Sequence, residues 1–147
     1  MKIALICSMG GHLTEMMRLM DAFEGHEIFF ITHRSSRTEL IEAKKYFIKE
    51  LGNNWLRVFL SIIAFMRIFL NEKPSVIVST GSEIAIPAFY AAKFLKIPSI
   101  FIESWCCVYS TTGAGRLVYP VSDVFLVQWP SLIEKYGSKA KFKGGVI

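Results

Sequence analysis

This sequence is short of most residue patterns that announce a chemistry. Its three cysteines are Cys7, inside an apolar run, and the adjacent pair Cys106 and Cys107. Nothing has the Cys/His spacing of a zinc site, and an odd count gives no disulfide framework, so a reducing compartment is expected. An Asp-x-Asp metal-binding pair is missing, as is a nucleophile elbow, and neither a metal nor a cofactor is expected. The dinucleotide fingerprint Gly-x-Gly-x-x-Gly is absent, and Thr32, His33 and Arg34 stand where an acidic residue would end the second strand. That weighs against a nucleotide- or flavin-binding oxidoreductase. No repeat, low-complexity tract or linker interrupts the 147 residues, and one domain over 1–147 is expected. Acidic residues are the scarcer sign, 12 against 17 Lys and Arg, for a net charge of +5. A positive surface favours phosphates and anionic lipids. Nucleic acid is not an expected partner, because no recognition motif and no stacking platform interleaved with basic residues occurs.

Apolar residues, by contrast, are abundant: 52% of the chain, with a mean hydropathy of +0.40. The excess concentrates in 53–71. On a helical projection, Asn53, Arg57, Ser61, Ala64, Arg67 and Asn71 share one sector, and nearly every other residue there is large and apolar. So wide an apolar face exceeds what packing on one sheet consumes. Arg57 and Arg67 interrupt the run, which keeps it short of the roughly 18 uncharged residues of a spanning helix. Three readings stay open: burial under a neighbouring helix, partial insertion into a membrane interface, or a protein partner. The membrane reading names Trp55, Phe59, Ile63 and Phe69 as contacts.

Short, continuously apolar segments near 2–7, 27–32, 75–79, 98–102 and 123–127 have the pattern of strands buried on both faces of a parallel sheet. Helical patterns fit 12–22, 37–46, 54–71, 83–95 and 130–136. The alternation predicts an α/β fold: a Rossmann-like open, mainly parallel sheet with helices on both faces. Polar and glycine-bearing turns follow four of the strands. The first is Ser8-Met9-Gly10-Gly11-His12, where the glycines admit close approach to the backbone and the next helix aims free N–H groups at a phosphate. The others are Ser79-Thr80-Gly81-Ser82, Glu103-Ser104 and Gln128-Trp129-Pro130. All fall at carboxyl ends of strands, where open parallel sheets bind ligands.

In this order and spacing, these motifs resemble the Alg14 family and its bacterial capsule and exopolysaccharide counterparts. They are more distantly similar to the N-terminal domain of MurG-type glycosyltransferases. The resemblance is carried by residues 8–16, Ser79-Thr80-Gly81, Ile102-Glu103-Ser104, 115–120, Ser122-Asp123 and Val127-Gln128-Trp129-Pro130. Cys107 stands where the family usually has arginine, and Ala114 where it usually has threonine. The resemblance implies half of a two-domain GT-B glycosyltransferase. A separate Alg13-like subunit would bind the UDP-sugar (UDP-GlcNAc or related), and this chain would hold a polyprenyl-diphosphate-linked acceptor. It also implies a peripheral protein on the cytoplasmic face of the membrane. The alternatives are a non-catalytic recruiter that brings an enzyme to the membrane and a nucleotide-binding α/β enzyme.

Within that frame, His12 is the candidate base or orienting residue, its ordinary pKa lying near neutrality. Glu103 is the second catalytic candidate: it would bind a sugar hydroxyl, orient His12 or act as base itself. Ser8, Gly10, Gly11, Glu15, Ser79, Thr80, Gly81, Ser82 and Ser104 are candidates for holding the acceptor and its phosphates. Gln128, Trp129 and Tyr136 are candidates for the partner interface.

Overall fold

The computed structural model describes residues 1–52 and 55–146. Seven parallel strands form one sheet: β1 (Lys2–Ile6), β2 (Glu27–Thr32), β3 (Lys44–Phe47), β4 (Val76–Ser79), β5 (Ser99–Ile102), β6 (Val124–Val127) and β7 (Ala140–Phe142). Their order is β3-β2-β1-β4-β5-β6-β7. The chain winds outward from β1 in one direction, then returns to β4 and winds outward in the other. The strand order therefore reverses between β1 and β4, which in an open α/β sheet is the point where a crevice opens at the carboxyl ends.

The helices are α1 (Gly11–Arg18), α2 (Ser36–Glu39), α3 (Trp55–Glu72), α4 (Ala85–Leu95), α5 (Gly113–Val118) and α6 (Ile133–Tyr136). Strand alternation divides the core between the two faces of the sheet. Ala4, Ile6, Phe29, Ile31, Ile77, Phe101 and Phe125 pack with Phe65 and Phe69 of α3 and the small residues of α4. Ile3, Leu5, Cys7, Phe30, Val78 and Ile102 point the other way, onto Leu13 and Met16 of α1. The fold is thus the expected Rossmann-like sheet with helices on both faces. Ala88, Ala91 and Ala92 let α4 approach the sheet closely. An aromatic file fills the far side, with Phe101 stacked on Phe125 at 5.0 Å and Phe125 against Tyr136 at 4.5 Å.

At the opposite end of the sheet, Glu72 closes α3 onto the strands. Its buried carboxylate accepts from Lys2 at 2.7 Å, Lys44 at 2.6 Å and the Tyr46 hydroxyl. Those partners, Lys2 foremost, hold its pKa down to about 2.

Three expectations about the elements fail. The helix expected over 37–46 is a single turn, capped by the reciprocal bonds of Ser35 and Thr38, followed by β3. Tertiary pairing overrides the local pattern there: Lys44–Phe47 align with Phe29–Thr32, and Tyr46 packs edge-on to Phe29 at 6.0 Å. A second strand that the pattern does not predict is β7, whose Lys141 lies between Lys139 and Lys143. Lysines on an outer strand discourage a further chain from pairing there. The helix expected over 12–22 ends at Arg18, and a 3₁₀ turn over Met20–Phe23 continues it.

Candidate functional site

The first turn of α1 lies at the topological switch point. Gly10 is its N-cap with φ 82°, a left-handed conformation that favours glycine, and no side chain caps the helix. A Cβ placed on Gly10 or Gly11 would meet nothing within 4 Å, so this end faces open space. His12, half-buried, is clamped to the end of β4. Its Nδ1 lies 2.8 Å from the Thr80 carbonyl oxygen, and the Thr80 hydroxyl donates back to the His12 carbonyl at 2.8 Å. Gly81, at φ 113°, leaves room for the ring: a Cβ there would sit 3.0 Å from His12 Cε1.

Most of the polar residues expected to hold phosphate are instead consumed inside the protein. Ser8 Oγ donates to the Met9 carbonyl, and Ser79 Oγ accepts from the Gly81 N–H. Glu15 is buried on α1, where one carboxylate oxygen accepts from Ser104 Oγ at 2.9 Å and the Trp105 N–H at 3.2 Å. Its other oxygen accepts from Gln128 at 2.9 Å. This network fastens α1 to the ends of β5 and β6. Gln128 also donates to the Glu103 carbonyl and accepts from the Val146 N–H, so it is an internal tie rather than an exposed partner contact. Trp129 remains partly exposed; its indole N–H donates to the Trp105 carbonyl at 2.7 Å and the two rings lie 5.9 Å apart.

Glu103 is fully buried and fully engaged. It accepts from its neighbour Ser104 N–H at 2.8 Å, from the Thr112 hydroxyl at 3.0 and 3.1 Å, and from the Tyr136 hydroxyl. Thr112 is at the same time the N-cap of α5, accepting from the Gly115 N–H at 2.8 Å. Gly115 has no room for a side chain, because a Cβ would run into Tyr136, Glu103 and Thr112. Tyr136, expected on a partner face, thus points inward, and burial together with Glu103 raises its phenol pKa. Among the described residues no hydrogen bond joins Glu103 to His12. The linked cluster Glu103–Thr112–Tyr136 escapes a sequence reading. Its one local signal is Thr112 ahead of Gly-Ala-Gly, an N-cap pattern.

On the β2 side of the switch point, His33 is buried and uses both ring nitrogens. Nδ1 faces the Ile48 carbonyl at 2.8 Å and Nε2 the Glu83 carboxylate at 2.9 Å. That hydrogen bond raises the His33 pKa and, with the Ser82 hydroxyl on the other carboxylate oxygen, holds Glu83 down to about 2. Ser82 is therefore committed to Glu83.

From Glu83, a cavity of about 450 Å³ leads between Gly52, Gly113 and Ala114 to Val58, Ile86 and Leu117. There it adjoins a nearly wholly apolar one of about 350 Å³, which adds Phe59, Ile62 and Tyr90. The expected membrane contacts divide. Phe59 is 61% exposed and Ile63 39%, whereas Phe69 is 1% exposed and belongs to the core beside Phe65. Trp55 opens α3, but its side chain lies outside the described residues. No helix among the described residues is long and apolar enough to cross a membrane. No group of His, Cys, Asp or Glu among them could hold a metal ion.

Comparison with solved structures agrees with this topology. MurG of Acinetobacter baumannii superposes with a TM-score of 0.81 at 16% identity, over 99% of this chain and 45% of that one. A UDP-N-acetylglucosamine 2-epimerase from Rickettsia bellii gives 0.76 at 15%, over 99% and 45%. The chain thus spans less than half of these proteins and matches the N-terminal half of the GT-B architecture. Among curated proteins, the UDP-N-acetylglucosamine transferase subunit ALG14 of Mus musculus is 25% identical over 100% of this chain and 83% of its own length. The human subunit is 23% identical over the same shares. Residues 50–146 match the family described as Oligosaccharide biosynthesis protein Alg14 like. With a match over most of its length and the open GT-B half-fold beneath it, this chain belongs to the Alg14-like family.

Proposed function

We propose that this chain is the acceptor-binding subunit of a two-chain, inverting glycosyltransferase. A separate Alg13-like subunit brings the UDP-sugar, and the acceptor is a polyprenyl-diphosphate-linked molecule. The observation that carries this reading is the uncapped N-terminus of α1 at the switch point, with His12 held beside it. Free N–H groups and the positive end of the helix dipole suit the acceptor's diphosphate, and Gly10 and Gly11 let it come close.

The chemistry is a single displacement. The acceptor hydroxyl attacks the anomeric carbon of the donor sugar, the bond from that carbon to the UDP oxygen breaks, and UDP leaves with the electron pair. His12 takes the proton from the hydroxyl, a contribution of roughly 10²–10⁴ in rate for a positioned base. Glu103, with its lone pairs already occupied, holds β5, α5 and α6 in register and acts through structure.

The apolar groove supports a lipid-linked substrate and peripheral docking on the membrane. Leu56, Phe59, Leu60 and Ile63 of α3 are exposed beside Tyr90 and Leu117, and the exposed Arg67 and Arg116 suit anionic headgroups. Trp129 with Trp105 is the remaining candidate for meeting the donor subunit across the cleft.

The test is reconstitution. The chain alone transfers no sugar, mixing it with its donor-binding subunit restores transfer to a polyprenyl-diphosphate acceptor, and His12→Ala lowers kcat while leaving complex formation intact. Robust turnover by the isolated chain, or an unchanged kcat in His12→Ala, overturns the proposal.

A further inference from the structure

We infer that Thr80 and Gly81 are positioning residues for His12, holding its imidazole in the tautomer that leaves Nε2 unprotonated. The inference deepens the role of His12 in the proposed transfer and reassigns two residues first expected to bind phosphate.

An oxygen of the peptide group only accepts, so the 2.8 Å contact between His12 Nδ1 and the Thr80 carbonyl requires the hydrogen to be on Nδ1. In the neutral ring the other nitrogen is then a bare acceptor. Among the described residues no hydrogen bond occupies His12 Nε2. The carbonyl is itself held in place, since the Thr80 hydroxyl donates to the His12 carbonyl at 2.8 Å, and the two bonds form a closed clamp between β4 and α1. Gly81 supplies the third constraint. With a Cβ 3.0 Å from Cε1 and 3.1 Å from Nδ1, any larger residue would crowd the ring and shift it by a few tenths of an ångström on the carbonyl, and the φ of 113° already favours glycine. A ring that must accept a proton at one nitrogen is thus anchored by the other, and its basic atom is directed by the backbone instead of a carboxylate.

His33 provides the contrast inside the same molecule. Both of its nitrogens face acceptors, the Ile48 carbonyl and the Glu83 carboxylate, which suits a buried cation and leaves no atom to take a proton. His26 is exposed. The three histidines therefore carry three different expectations.

The experiment is long-range proton–nitrogen correlation NMR of the full chain labelled with ¹⁵N, recorded at about pH 8, above the ordinary imidazole pKa. The wild type shows His12 with Nδ1 protonated and Nε2 bare. Thr80→Ser keeps this signature, whereas Thr80→Val and Gly81→Ala move His12 towards the averaged pattern of His26. In the reconstituted enzyme Gly81→Ala lowers kcat, by less than the roughly 10²-fold that a displacement of about 1 Å at a reacting group costs. It leaves KM for the donor unchanged. A wild-type His12 protonated on Nε2, or averaged like His26, overturns the inference. So does a signature that survives both Thr80→Val and Gly81→Ala. Because the spectrum is read without substrate, it separates the two claims. The expected tautomer with undiminished kcat in His12→Ala sustains the positioning but removes His12 from the chemistry.

Discussion

Replacing Glu103 with glutamine tests whether this carboxylate is chemistry or scaffold. The side chain keeps its shape but loses half its acceptors. If the amide oxygen stays towards Tyr136 and Thr112, the amide nitrogen confronts the Ser104 N–H at 2.8 Å, donor against donor. Turned the other way, it confronts the Thr112 N–H, 3.4 Å from Oε2. Either orientation strands one donor in a site with no solvent exposure, which costs about 1–3 kcal/mol. A loss near 2 kcal/mol lowers Tm by about 4–8 °C in a domain of this size. Tyr136→Phe removes a single donor and falls by about half as much. Thermal unfolding followed by circular dichroism reads both variants, with sugar transfer by the reconstituted complex measured on the same samples. In the scaffold account, activity falls only as far as the loosening of α5 and α6 disturbs the rim, within about tenfold. A Glu103→Gln protein with unchanged Tm and a loss beyond roughly 10³-fold in kcat, the scale of a lost base, would refute this account and make Glu103 the base.

Other expectations follow from the same structure. Glu72→Ala removes the acceptor shared by Lys2, Lys44 and Tyr46. Both lysines can return to water, so no charge is stranded and the urea midpoint near neutral pH falls only modestly, and the variant loses the acid-side decline in urea midpoint that Glu72 gives the wild type as pH falls towards 2. The His33–Glu83 pair has a stability window with two edges. The raised His33 pKa contributes fully below about pH 6.5 and is lost as pH rises through the folded value, while the lowered Glu83 pKa contributes above about pH 4.3 and is lost towards pH 2. His33→Gln should flatten the urea midpoint across that range, and a profile identical to wild type would show the pair to be inert. Phe59→Ser with Ile63→Ser should release the protein from anionic liposomes in flotation while leaving its dichroism native. Phe69→Ser, a core change, should unfold it; liposome binding unaltered in the folded double variant would remove α3 from the membrane contact.

The sheet was legible because parallel strands buried on both faces leave an unmistakable apolar run, as in Ile3–Cys7 and Val76–Val78. The outer strands were not. Lys44–Phe47 and Ala140–Phe142 carry lysines and owe their form to a neighbouring strand, which no local window contains. The rim turns were legible as turns, and His12 beside Gly10 and Gly11 stands where the motif puts it. Their polar residues were not separable into those that face a ligand and those that bind one another. Ser79, Glu15, Ser104 and Gln128 look alike on paper, yet the last three close on one another across 89 to 113 residues of chain.

By itself, then, the sequence determined the α/β class and the glycine turn at the head of α1, consequences of local periodicity and backbone freedom, and its motifs in order carried the family resemblance. Tertiary structure decided which acids are spent as internal ties, which face of α3 stays open, and which nitrogen of His12 remains available. Those outcomes depend on partners brought together from distant parts of the chain: Thr80 reaches His12 only because β4 returns beside β1.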